Sequence, residues 1–61
     1  MKVRQMKKLL RQAGWEYEST RGDHHHFTHP TISGKLTVPG NDGDELAKGT
    51  EKSILKQAGL K

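Results

Sequence analysis

Apolar positions recur at helical spacing at both ends of the chain and at strand spacing between them. Val3, Met6, Leu10 and Ala13 fall on one stripe, with Leu9 at its edge, so the pattern predicts a helix over residues 3–13. Arg4, Lys8 and Arg11 form a second, basic stripe beside it. Gly14 is a stop signal just past that helix. A second helix is predicted over residues 50–58: Thr50 is the expected N-cap, Glu51 suits the positive end of the dipole, and Gly59 is the stop. Its apolar face comes from Ile54, Leu55 and Ala58. Leu9–Trp15 and Ile54–Leu60 resemble each other because both fit one helix ending, with glycine at C′ and an apolar C″ residue touching C3. That pairs Trp15 with Leu10 and Leu60 with Leu55.

Three short strands are predicted between the helices. Residues 15–20 alternate, with Trp15 and Tyr17 on one face and Glu16 and Glu18 on the other. Arg21-Gly22-Asp23 reads as a turn. Residues 24–29 form the second strand with Phe27 inward, and residues 35–39 the third, with Leu36 and Val38 inward. Pro39 is tolerable at a strand end. The expected class is α+β in the order αβββα: a three-stranded antiparallel sheet with two helices on its apolar face.

Sixty-one residues make one domain, residues 1–61, that buries only about 60% of its unfolded surface, so its core is thin. The absence of cysteine excludes a disulfide staple, a thiolate nucleophile and a zinc–cysteine site. No apolar run reaches the length of a membrane span or a signal-peptide core, which makes a cytoplasmic location the expectation. Eleven Lys and Arg stand against seven Asp and Glu, a formal charge of +4. Residues 1–13 hold five of those cations and no acid, whereas Asp42, Asp44 and Glu45 cluster later. A one-sided basic surface favours polyanions such as RNA.

The chemistry concentrates in Gly22-Asp23-His24-His25-His26-Phe27. Strand alternation puts His25, Phe27 and His29 on one face and His24, His26 and Thr28 on the other. Since Phe27 marks the core face, His24 and His26 face away from the helices. Three readings compete. The histidines are ordinary strand residues with local hydrogen bonds; or His24 and His26 chelate a metal with an acid as third ligand; or one imidazole moves a proton on RNA while Lys and Arg stabilise the phosphorane charge. No matched ligand pair stands elsewhere, so no metal and no cofactor is expected.

Three segments together resemble the HicA toxins, the RNA-cleaving halves of HicAB toxin–antitoxin pairs. They are Leu9-Leu10 through Gly14-Trp15; Gly22-Asp23-His24-His25-His26-Phe27 with His29-Pro30; and Glu45-Leu46-Ala47-Lys48-Gly49-Thr50 running into Ser53 through Leu60. The resemblance covers about residues 3–60. It implies a fold similar to double-stranded-RNA-binding domains and a metal-independent endoribonuclease acting on messenger RNA, silenced by a HicB-like antitoxin. It places the catalytic histidine at His24, just after the glycine turn, with His25 as a secondary candidate; His26 falls at a variable position. Arg21, Lys48 and Lys52 are candidates for phosphate contacts, and Lys7, Lys8 and Arg11 for an extended basic track. Asp23 stands where family members usually have Ser or Gly, and Ala47 where they often have Pro. The rival from another class is a non-catalytic RNA-binding module of the same fold.

Overall fold

The computed structural model describes residues 1–60; Lys61, the last residue of the expected domain, lies outside them. The chain runs α1 (Val3–Gln12), β1 (Glu16–Arg21), β2 (His24–Thr28), β3 (Leu36–Pro39) and α2 (Lys48–Gln57). The strands form an antiparallel sheet in the order β1-β2-β3. This is the αβββα order that the hydrophobic pattern predicts.

Both helix endings close as the glycines require. Trp15 N–H donates to Leu10 O and Gly14 N–H to Arg11 O; Leu60 N–H donates to Leu55 O and Gly59 N–H to Lys56 O. These are the paired bonds of a Schellman ending, and they need the left-handed φ of +94° at Gly14 and +76° at Gly59. The start of α2 differs from the prediction. It begins at Lys48, with extended Ala47 as N-cap, so Thr50 lies inside the first turn. Ala47 has no side chain to cap with, and Thr50 is left to face a groove described below.

The inner face of the sheet carries Phe27, Leu36 and Val38, and these pack with Val3, Met6 and Leu10 of α1 and Ile54 of α2. Among the described residues no polar or charged side chain is buried. Burial of these apolar surfaces, worth about 25 cal/mol per Å², drives the fold. Trp15 precedes β1 and is buried, with its indole N–H donating to Ala58 O at 3.4 Å. Tyr17 stacks edge-on against Phe27 yet stays 48% exposed. Between Tyr17 and Ser19 the register of β1 shifts by a bulge, so the simple alternation predicted for this strand fails after Tyr17.

The acidic loop after β3 has a structural task that composition alone does not show. Val3 N–H donates to Asp44 O and Arg4 N–H to Asp42 O, so the loop's carbonyls satisfy the open N-terminus of α1. Lys7 Nζ reaches Asp42 Oδ1 at 2.6 Å.

Candidate active site

Gly22 and Asp23 make a two-residue turn between β1 and β2. The φ of +60° at Gly22, with no positive φ at Asp23, fits the type II′ geometry that hairpins favour. A Cβ at Gly22 would meet nothing within 4 Å, so the dihedral alone demands glycine there. Asp23 O accepts from Gly40 N–H at 2.7 Å, which ties the turn to the end of β3.

His24 is the first residue after this turn. It sits opposite Arg21 in β1 and Pro39 in β3. Its side chain is 56% exposed, and its charged neighbour is Asp23, with Oδ1 3.9 Å from Nδ1. That separation is beyond a hydrogen bond, and an exposed pair of this kind contributes little energy. A groove of about 410 Å³ opens beside it. His24, Thr37 and Pro39 line it from the sheet; Gly49, Thr50, Ser53, Ile54 and Gln57 line it from α2. His24 therefore lies on the outer face, as strand alternation requires, but not clear of the helices: α2 flanks β3 and supplies most of the groove's lining.

The other three histidines are engaged. His25 projects from the inner face opposite Val38. Its Nε2 donates to Gly40 O at 2.8 Å, and its Nδ1 accepts from the Thr20 hydroxyl at 3.1 Å, which is bonded in turn to the Tyr17 hydroxyl. His26 returns to the outer face, with Nδ1 3.2 Å from Thr37 Oγ1. His29 lies beyond β2. Its Nδ1 accepts from the N–H groups of Thr31 and Ile32, its Nε2 donates to Ala13 O, and its ring packs edge-on against Trp15 at 5.1 Å.

The predicted cations are dispersed. Arg21 is His24's cross-strand neighbour and is exposed. Lys48 and Lys52 are exposed on the first turns of α2 but do not line the groove. On α1, Lys8 and Arg11 are exposed, while Lys7 is 17% exposed and neutralised by Asp42. Asp42's carboxyl is held below its ordinary pKa, first by the hydrogen bond from Lys7 and then by its charge. α1 packs on the inner face through Val3, Met6 and Leu10, and neither Lys8 nor Arg11 lines the His24 groove. A second hollow of about 610 Å³ along α1 is lined by Met1, Gln5, Lys8, Leu9 and Gln12, with no histidine or carboxylate among them. Among the described residues no three of His, Asp and Glu converge as a metal-binding group, and no helix is long and apolar enough to cross a membrane.

Fold and site together define a small basic αβββα domain with an exposed histidine beside a groove of mixed polar and apolar lining. A family model described as HicA toxin of bacterial toxin-antitoxin matches residues 3–60. The chain is 36% identical over 62 residues to the probable mRNA interferase HicA of Pseudomonas fluorescens (strain Pf0-1), covering 100% of this chain and 98% of that protein. The chain belongs to the HicA family of toxins.

Proposed function

We infer that this chain is an RNA-cleaving toxin: an endoribonuclease acting on messenger RNA, with His24 as a proton-transfer residue and no metal requirement. The observation that carries the reading is the contrast among four histidines. Among the described residues, His24 is the histidine with both ring nitrogens free of hydrogen bonds and the one that lines the groove.

The groove suits a phosphodiester. The first turn of α2 has no side-chain cap, so its N–H groups are open to an anion, and the Thr50 and Ser53 hydroxyls add donors. Arg21 stands across the ladder from His24 to meet developing negative charge. An imidazole there can take the ribose 2′-OH proton as that oxygen attacks phosphorus. His25 acts by position: its ring holds Gly40, whose N–H in turn holds the carbonyl of Asp23 beside His24. A HicB-like antitoxin silences the toxin by covering His24 and the cations around it, with charge steering the encounter.

The test is cleavage of a long unstructured RNA by purified wild type and His24→Ala, with circular dichroism as the fold control. The variant is expected to lose about two to four orders of magnitude in rate. Cleavage should persist in excess EDTA and leave a 2′,3′-cyclic phosphate. An active His24→Ala protein overturns the assignment. RNA binding without cleavage by wild type favours the non-catalytic module instead.

A further inference from the structure

Cleavage by an internal 2′-OH needs two proton transfers: one from the attacking oxygen and one to the leaving 5′ oxygen. In an in-line displacement these oxygens lie on opposite sides of phosphorus, so the two groups must flank the phosphate. His25 cannot pair with His24 in this way, because it projects from the other face and both its nitrogens are bonded.

His26 meets the requirement. It leaves the same outer face as His24, two strand residues away, so the backbone positions are roughly 6–7 Å apart. The ladder sets them in adjacent rows: Arg21, His24 and Pro39 in one; Ser19, His26 and Thr37 in the next. Thr37 joins the two, since its hydroxyl lies 3.2 Å from His26 Nδ1 while its side chain lines the His24 groove. Each ring turns Nδ1 toward the protein, His24 to Asp23 and His26 to Thr37. Nε2 of each is left to the substrate. Charged groups on the strands of this face include Arg21 and Asp23 beside His24, Glu16 opposite Thr28 in the row beyond His26, and the Lys35–Glu18 ion pair at 2.9 Å, which is neutral as a unit.

We propose that His26 is the second proton-transfer group, the acid that protonates the departing 5′ oxygen, with His24 as the base. The assignment rests on reading the chain as an RNA-cleaving toxin. His24 Nε2 takes the 2′-OH proton as the 2′ oxygen bonds to phosphorus. The P–O5′ bond breaks, and the 5′ oxygen takes the proton from His26 Nε2. The products are a 2′,3′-cyclic phosphate and a 5′-hydroxyl; nothing is oxidised or reduced, and solvent resets both rings. The direction follows from the neighbours. His24 lines the groove and faces Arg21 across the ladder, which suits the base at the attacking oxygen; His26, one row further along the same face, is left for the departing oxygen, and the Thr37 hydroxyl can accept from its Nδ1–H.

The experiment uses a short RNA whose cut site has been mapped with wild type, made again with sulfur replacing the 5′ bridging oxygen at that bond. A thiolate leaves without an acid. His26→Ala and His26→Gln are expected to cut the ordinary RNA about 100-fold slower than wild type, yet the sulfur-bridged RNA within about threefold of it. His24→Ala should be slow on both. His26 variants that match wild type on both substrates, or are slowed equally on both, overturn the proposal. Wild type that yields no cut site at the mapping stage overturns the ribonuclease reading itself, and this assignment with it. Because His26→Gln keeps side-chain bulk, matching circular dichroism spectra separate lost chemistry from lost fold.

Discussion

His29 is expected to be the histidine on which the fold depends, and the dependence should be measurable as coupling to Gly14. Truncation by His29→Ala removes the donor to Ala13 O, the acceptor of the Thr31 and Ile32 N–H groups, and the edge-on packing against Trp15. The bonds contribute about 1 kcal/mol each at most, and less where Thr31 and Ile32 can turn to water. The aromatic pair adds about 1 kcal/mol. A loss of about 2–3 kcal/mol follows, against a total of only about 3–9 kcal/mol for a domain of this size. The melting temperature should fall by about 10–20 °C. Gly14 is tied to the same ring: a Cβ there would lie 2.9 Å from His29 Nε2, at a backbone φ of +94°. Gly14→Ala therefore carries a backbone cost of about 1 kcal/mol and a collision that disappears once the ring is gone. In the His29→Ala background the second substitution should cost about 1 kcal/mol less than in wild type. Urea unfolding of the four proteins measures this directly. Additivity within about 0.3 kcal/mol would refute the reasoning. RNA cleavage per folded molecule should be unchanged in His29→Ala, because His24 lies at the far end of β2.

Two further outcomes are expected. Arg21→Gln should weaken RNA binding and flatten its salt dependence by about 0.7 log units per log of salt, one lost single-strand phosphate contact; Lys8→Gln with Arg11→Gln should leave both nearly unchanged, and the reverse result would move the RNA track to α1. Asp42→Asn should lower the melting temperature slightly at neutral pH. Since Lys7 depresses the Asp42 carboxyl in the folded state, the stability it adds is present above its ordinary value of 3.8 and is lost as pH falls through the lower folded value. The gap between wild type and Asp42→Asn should therefore close in acid, and a constant gap would assign it to something other than the ion pair.

What the sequence by itself determined is local. Helix and strand periods, glycines at positive φ and a two-residue turn are properties of a few neighbouring residues, so the αβββα order, both Schellman endings and the outward phase of His24 were legible from spacing. The alternation predicted for β1 failed after Tyr17 because a bulge depends on the partner strand, and α2 began at Lys48 because its N-cap is backbone at Ala47 rather than the Thr50 hydroxyl. Only the tertiary structure separated the four histidines. His25 is bound to a carbonyl 15 residues away, and His29 to one 16 residues away. Lys7 is withdrawn from the basic track by an acid 35 residues along the chain. The wall that turns His24 from an exposed strand residue into a groove residue comes from α2. These pairings are set by how the helices dock on the sheet. Docking is decided by the whole buried surface, and no single short segment encodes it.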